Sequence, residues 1–200
     1  KIIKPKIPPD QAEQIRELLL TAHLQATPEG VQAAGYVIPI AFILVSVLTS
    51  ILIFNSTFFA IFGFMIGVAG IFLLQKLPGF MANVWRIKAS NQMVLCVFYV
   101  VTYMRHTSNL ELAIEFASEH LTPPLSLDLR KVIFDVESGK YEKMKDSLEM
   151  YLSRWRTYNL EFVEAMHLIE SSLYETSYER RLSLLDKSLE LQKQITKTMQ

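Results

Sequence analysis

Two charge-free apolar runs, separated by a short polar break, dominate the first half of the chain. Val37 to Phe54 and Phe58 to Leu74 contain no Asp, Glu, Lys or Arg, and Asn55, Ser56 and Thr57 stand near the break. The first run has 18 residues. At about 1.5 Å per residue its helix covers roughly 27 Å, close to the hydrocarbon thickness of a bilayer. The 17 residues of the second run are apolar on every side, without the polar stripe at 3.6-residue spacing that a core helix of a soluble protein carries. The pattern predicts a transmembrane helical hairpin over residues 35–77, with spans at about 37–54 and 58–74.

From Pro78 the pattern becomes amphipathic. The apolar stretch Met93 to Met104, at 12 residues, is too short to span and predicts the buried part of a helix over Phe80 to Met104. Ser108 and Glu111 have the spacing of a capping box, opening a helix with the face Leu110, Ala113, Ile114, Ala117 and Leu121 before Pro123 and Pro124 interrupt it. Leu125, Leu129, Val132 and Val136 make the next face, and Ser138 and Gly139 stop that helix. Tyr141, Met144, Leu148, Tyr151, Leu152 and Trp155 predict a fourth helix; Phe162, Met166, Ile169 and Leu173 predict a fifth. Thr176 and Glu179 repeat the capping box and open a sixth, through Tyr178, Leu182, Leu185, Leu189 and Ile195. No segment alternates with period two. The predicted class is therefore all-α, a transmembrane hairpin followed over residues 78–200 by a cytoplasmic antiparallel bundle of about six helices. Residues 1–34 precede the hairpin as a cytoplasmic juxtamembrane helix and linker. There Asp10 is expected to cap a short helix reaching about Gln25, with Thr27 to Gly30 as a turn or a short linker.

Charge sharpens this division. The 20 basic and 20 acidic residues cancel, giving no argument for a nucleic-acid partner. Glu29 and Lys76 are separated by 46 uncharged residues, and all but nine of the 40 charges lie from Pro78 onward. Lys1, Lys4, Lys6 and Arg16 precede the first span, Lys76, Arg86 and Lys88 follow the second, and the connecting turn has none. Basic residues stay on the cytoplasmic side, so both ends are expected there, with the protein multi-pass in the cytoplasmic (inner) cell membrane and the lipid bilayer as a partner. The sequence starts at Lys1 without a secretory signal pattern, and it reads as a piece of a longer chain.

Candidate chemistry is sparse. His23, His106, His120 and His167 are scattered, without a second His or Cys at metal-ligand spacing, and the single Cys96 has no partner in the chain. There is no phosphate-binding glycine loop, no G-x-S-x-G and no H-E-x-x-H. No catalytic, cofactor or metal residue is assigned, and a non-enzyme is expected. Glu111, Glu115 and Glu119, at i, i+4 and i+8, read as a solvated acidic stripe before a cation site. Gly63, Gly67 and Gly70 in the second span have the small-residue spacing that lets another helix approach closely. Ser46, Thr49 and Ser50 in the first span are read as bonding their own helix backbone.

Pro78 to about Leu173 resembles the type II secretion system F domain, found in the platform proteins of secretion systems, type IV pili, tight-adherence pili and archaella. The resemblance rests on the run Tyr103, Met104, Arg105, His106, Thr107, Ser108, Asn109, Leu110, Glu111, Leu112, Ala113, Ile114, and on the helix end Asp135, Val136, Glu137, Ser138, Gly139. His106 or Thr107 stands where the family usually has a first-turn glycine, and the later glutamate-glycine pair of bacterial members is not evident. The resemblance implies a non-enzymatic membrane platform that contacts a secretion-type hexameric ATPase, helps to move pilin-like subunits into a filament, and forms a homo-oligomer. It points to Arg105, Ser108, Asn109, Glu111 and Gly139 as partner-contact residues. Competing readings are a membrane transporter subunit, which needs polar or charged groups inside the spans, a membrane-tethered enzyme, which needs a clustered acid-base or metal constellation, and a membrane-tethered helical scaffold.

Overall fold

A computed structural model describes residues 8–22, 24–53 and 57–198, and these form eight α-helices with no strand. The polar break at Asn55 and Ser56, His23, and the basic residues Lys1, Lys4 and Lys6 lie outside the described residues, as does the side chain of Ile195. The chain divides into two compact units, residues 1–86 and residues 87–200.

The first unit begins with α1 (Pro9–Thr21). Its start differs from the expectation. Pro8 is the flanking residue, Pro9 occupies the first turn, and Asp10 lies inside that turn without a capping hydrogen bond. Proline suits this position because its missing N–H is one that no intrahelical carbonyl would accept. Asp10 still favours the helix through the positive end of the dipole. The helix stops at Thr21, short of Gln25.

Thr27 to Gly30 is not a free linker but the opening of α2 (Pro28–Leu52). Thr27 is extended, and its hydroxyl accepts from the Gly30 N–H at 3.1 Å. Pro28 at the first helical position completes the start signal. α1 packs against α2, with Leu19 and Ala22 buried.

The largest departure is at Pro78. The second apolar run and the first bundle helix are one element, α3 (Thr57–Thr107), with Pro78 inside it. Proline's fixed φ is helical; what it removes is one backbone donor, a cost that apolar membrane helices commonly tolerate. The unit boundary at Arg86 and Ile87 falls within this helix.

α2 and the first part of α3 are long and apolar enough to cross a membrane. A core helix of a soluble protein meets the same composition test but hides its side chains. Here only 17% and 11% of the most apolar stretches are buried within the molecule. Leu44, Val45, Phe58 and Met65 are among many large side chains left exposed.

The second unit contains the remainder of α3 with α4 (Leu110–His120), α5 (Leu125–Glu137), α6 (Met144–Ser153), α7 (Leu160–Ser172) and α8 (Tyr178–Thr198). Its core joins Met93, Cys96, Val97, Val100 and Met104 of α3 to the buried faces of the other helices. Every face residue expected for α4 and α7 is buried or packed against this core. The fourth predicted bundle helix is shorter than expected: Tyr141 precedes α6 and Trp155 follows it. Likewise α8 begins at Tyr178, with Arg181 N–H bonded to the Ser177 carbonyl, so Ser177 and not Thr176 flanks it. Between α5 and α6, the Ser147 hydroxyl donates to the buried Val132 carbonyl at 2.8 Å.

Candidate functional surfaces

The glycines singled out in the second apolar run lie along α2. A Cβ added to Gly63 would overlap Ser46 Oγ and lie 2.6 Å from Ser46 Cβ. At Gly67 it would overlap Ile43 Cγ1 and come within 3.3 Å of the Pro39 carbonyl oxygen. At Gly70 the nearest atom is Pro39 Cβ, at an ordinary 3.7 Å. As the glycine number rises along α3 the facing residue number falls along α2, so the helices are antiparallel here. Thr49 bonds its own helix, its hydroxyl lying 2.9 Å from the Val45 carbonyl and 3.0 Å from that of Ser46.

These distances order four substitutions. Gly63→Ala and Gly67→Ala are each expected to destabilise the helix pair by about 1–3 kcal/mol, the usual cost of overpacking. Gly70→Ala should be close to neutral. Gly79→Ala, with nothing within 4 Å, should gain roughly 0.5–1 kcal/mol in helix propensity. Unfolding of the detergent-solubilised chain measures all four, and Ser46→Gly should rescue Gly63→Ala if the overlap with Ser46 is the cause.

The candidate contact segment from Arg105 to Glu111 is the turn between α3 and α4. Ser108 has φ of 54°, in the left-handed region, and its N–H donates to the Met104 carbonyl at 3.1 Å. It thus closes α3 and cannot also be the extended cap of α4. That role belongs to Asn109, whose side-chain oxygen accepts from the N–H of Glu111 at 3.0 Å and of Leu112 at 3.3 Å. The expected Ser108–Glu111 capping box is therefore displaced by one residue, leaving Glu111 in the first turn as a dipole partner. Arg105 is engaged elsewhere, in an ion pair with Asp186 of α8.

Gly139 belongs to a separate feature, the end of α5. With φ of 76° it donates to Val136 O at 2.9 Å, while Lys140 N–H reaches Asp135 O at 3.0 Å. This is the two-bond Schellman closure that glycine favours because the left-handed conformation strains any side chain. Lys140 Nζ also pairs with Asp135 at 2.6 Å. The structure groups Ser108, Asn109 and Glu111 in one turn, and assigns Arg105 and Gly139 to distinct local roles.

Two arrangements escape a reading by apolar spacing. The first is an aromatic ladder between α3 and α4: Tyr103 and Phe116 have ring centroids 5.0 Å apart, Tyr99 and His120 5.7 Å, and Phe116 and His120 4.1 Å. The pairs Tyr99/Tyr103 and Phe116/His120 at i, i+4 are the signal that could have revealed it. The second is Glu149 on α6, whose carboxylate meets Arg156 at 2.6 Å and His167 of α7 at 2.7 Å. Nearby, Lys145 pairs with Glu170 at 2.6 Å and is held above its ordinary range chiefly by that hydrogen bond.

Glu149 is held below its ordinary value of 4.5, first by the His167 hydrogen bond. A depressed carboxyl stabilises the fold fully above that value, and the contribution is lost as pH falls through the lower folded-state value. The denaturation midpoint of the wild type should therefore fall on acidification below pH 4.5, and Glu149→Gln should flatten that slope. Because the carboxylate is 40% exposed, the change is a modest one.

The thiol of Cys96 is buried among apolar side chains and pushed up to about 12, which makes it unreactive. Among the described residues no three His, Cys, Asp or Glu side chains cluster as a metal site would require. No family model, no curated protein and no solved structure matches the chain.

Proposed function

We propose that the chain is the membrane-anchored part of a non-enzymatic assembly platform of the type II secretion, pilus or archaellum kind. In this reading α2 and the first part of α3 form a transmembrane hairpin, and residues 87–200 form a cytoplasmic helical module. The module couples a secretion-type ATPase to the assembly of pilin-like filament subunits. The observation that carries the anchor is the outward exposure of the apolar side chains of α2 and α3. In water such a surface is an aggregation site; in lipid it is the required one. The basic residues Arg16, Lys76, Arg86 and Lys88 support cytoplasmic placement of both ends.

The platform role rests on the resemblance of residues 78–173, including the turn at Ser108 to Glu111 and the helix end at Gly139. The transporter reading gains little support: Thr49 is bonded to its own helix, and neither apolar run holds an ionisable residue. Co-purification of the detergent-solubilised full-length protein with the secretion-type ATPase from the same source tests the proposal. Specific binding that is abolished by charge reversal at Arg105 and Glu111 supports it. Failure of the folded protein to bind returns the chain to a membrane-tethered helical scaffold.

A further inference from the structure

Along α3 and α4 a half-buried aromatic row, packed on the core from its inner side, is continued at both ends by exposed leucines. Tyr99 lies against His120 and Tyr103 against Phe116, so the two helices run antiparallel along the aromatic ladder. Leu95 stands one turn beyond Tyr99 and Leu112 one turn beyond Phe116, extending the ladder at opposite ends. Both leucines are exposed, at 44% and 41%. The stripe is about 12 residues of helix long, roughly 18 Å at the helical rise.

Alongside it run Glu111, Glu115 and Glu119 of α4, all exposed. None of the three has an ion pair among the described residues. Glu111 benefits from the helix dipole, but Glu115 and Glu119 sit beyond the first turn, where it fades. Like charges at i, i+4 destabilise a helix, and among the described residues no ion pair offsets that.

We infer that this face is a docking site for a basic amphipathic helix of a partner protein. About three turns of the incoming helix lie along the outer side of the aromatic row between α3 and α4. Its aliphatic residues meet the exposed Leu95 and Leu112 and the half-buried rings of Tyr99 and Phe116. Lysine or arginine residues on one edge meet Glu115 and Glu119. The acidic row opposes an anionic bilayer surface as the occupant, because such a surface attracts cations. A β-strand is equally unsuited: α3 and α4 satisfy their backbone bonds internally, so only side-chain grooves are available. The inference concerns the second unit alone and does not depend on the platform reading.

The test uses the full chain in nanodiscs of zwitterionic phosphatidylcholine and a stapled Leu/Lys amphipathic peptide of about three turns. The wild type should bind the peptide in a salt-sensitive manner, and a Leu/Glu counterpart should fail. Glu115→Lys with Glu119→Lys should weaken binding at least tenfold, about 1.4 kcal/mol, and Leu112→Ser should weaken it at any salt concentration. Glu161→Lys with Glu164→Lys, exposed on α7, should leave binding unchanged. Protection of Cys96 from alkylation reports that each variant is folded. Equal binding by the α4 charge-reversed variant, or no binding by the folded wild type, overturns the inference. So does binding to empty nanodiscs alone, or self-association through this face that charge reversal abolishes.

Discussion

Phe162→Ala is expected to cost the second unit about 3–5 kcal/mol, the range for deleting a fully buried aromatic side chain. Phe162 is completely buried in the first turn of α7, within a core that includes Met93, Cys96, Ile114 and Met166. Its N–H is held by the side chain of Asn159 at 2.9 Å, and the amide of Asn159 in turn donates to Ser90 of α3 at 3.2 Å. The backbone at Phe162 is therefore fixed from two sides, so the loss of the ring leaves a cavity more than it allows collapse. Cys96 supplies the measurement. Its thiol, buried and raised to about 12, is alkylated only when the unit opens. If opening limits the reaction through its equilibrium, labelling should accelerate by roughly two to four orders of magnitude, since each 1.4 kcal/mol is tenfold. Leu160→Ala, at the exposed neighbouring position, should change the rate little. Equal rates for wild type and Phe162→Ala would show that Cys96 is reached by local fraying near α3 and not by opening of the core.

The apolar faces of this unit were legible because burial repeats with helical spacing. Phe162, Met166 and Ile169 are all fully buried, as are Ala113, Ile114 and Ala117. Gly139 was legible for a different reason: few residues besides glycine adopt positive φ without strain, so its position at a helix end is nearly unambiguous. Boundaries set by competing polar residues were not. Ser108 and Asn109 both have side chains that can cap, and the choice depends on which of them closes the preceding helix. Pro78 was misread because a proline signals a break in sequence, whereas an apolar helix long enough to be held by its surroundings can absorb one lost donor. The roles of Arg105 and Glu149 were illegible for a more general reason. Their partners, Asp186 and His167, are distant in sequence, and no local spacing encodes a pairing made by tertiary packing.

Leu44→Arg separates the membrane reading from a soluble one by the sign and size of a single effect. Leu44 lies near the middle of the first apolar run and is 59% exposed. On a water-facing helix an arginine at such a position changes stability by about 0.5 kcal/mol or less, because leucine there contributes little packing. In a bilayer the same position faces hydrocarbon, and a central arginine costs roughly 2.5–3.5 kcal/mol on insertion scales. Gly63, Gly67 and Thr49 offer no carboxylate, and no Asp or Glu lies between Gly30 and Gln75, so the guanidinium finds no counter-charge within the apolar segments. The expected result is a loss of membrane-integrated protein, read as carbonate-extractable chain after expression in membranes. Met65→Arg on α3, 64% exposed, should behave alike. Leu24→Arg, outside the apolar run, should leave integration intact. If Leu44→Arg and Met65→Arg integrate as fully as the wild type, the exposed apolar face is not in contact with lipid, and the anchor has to be sought in protein–protein burial.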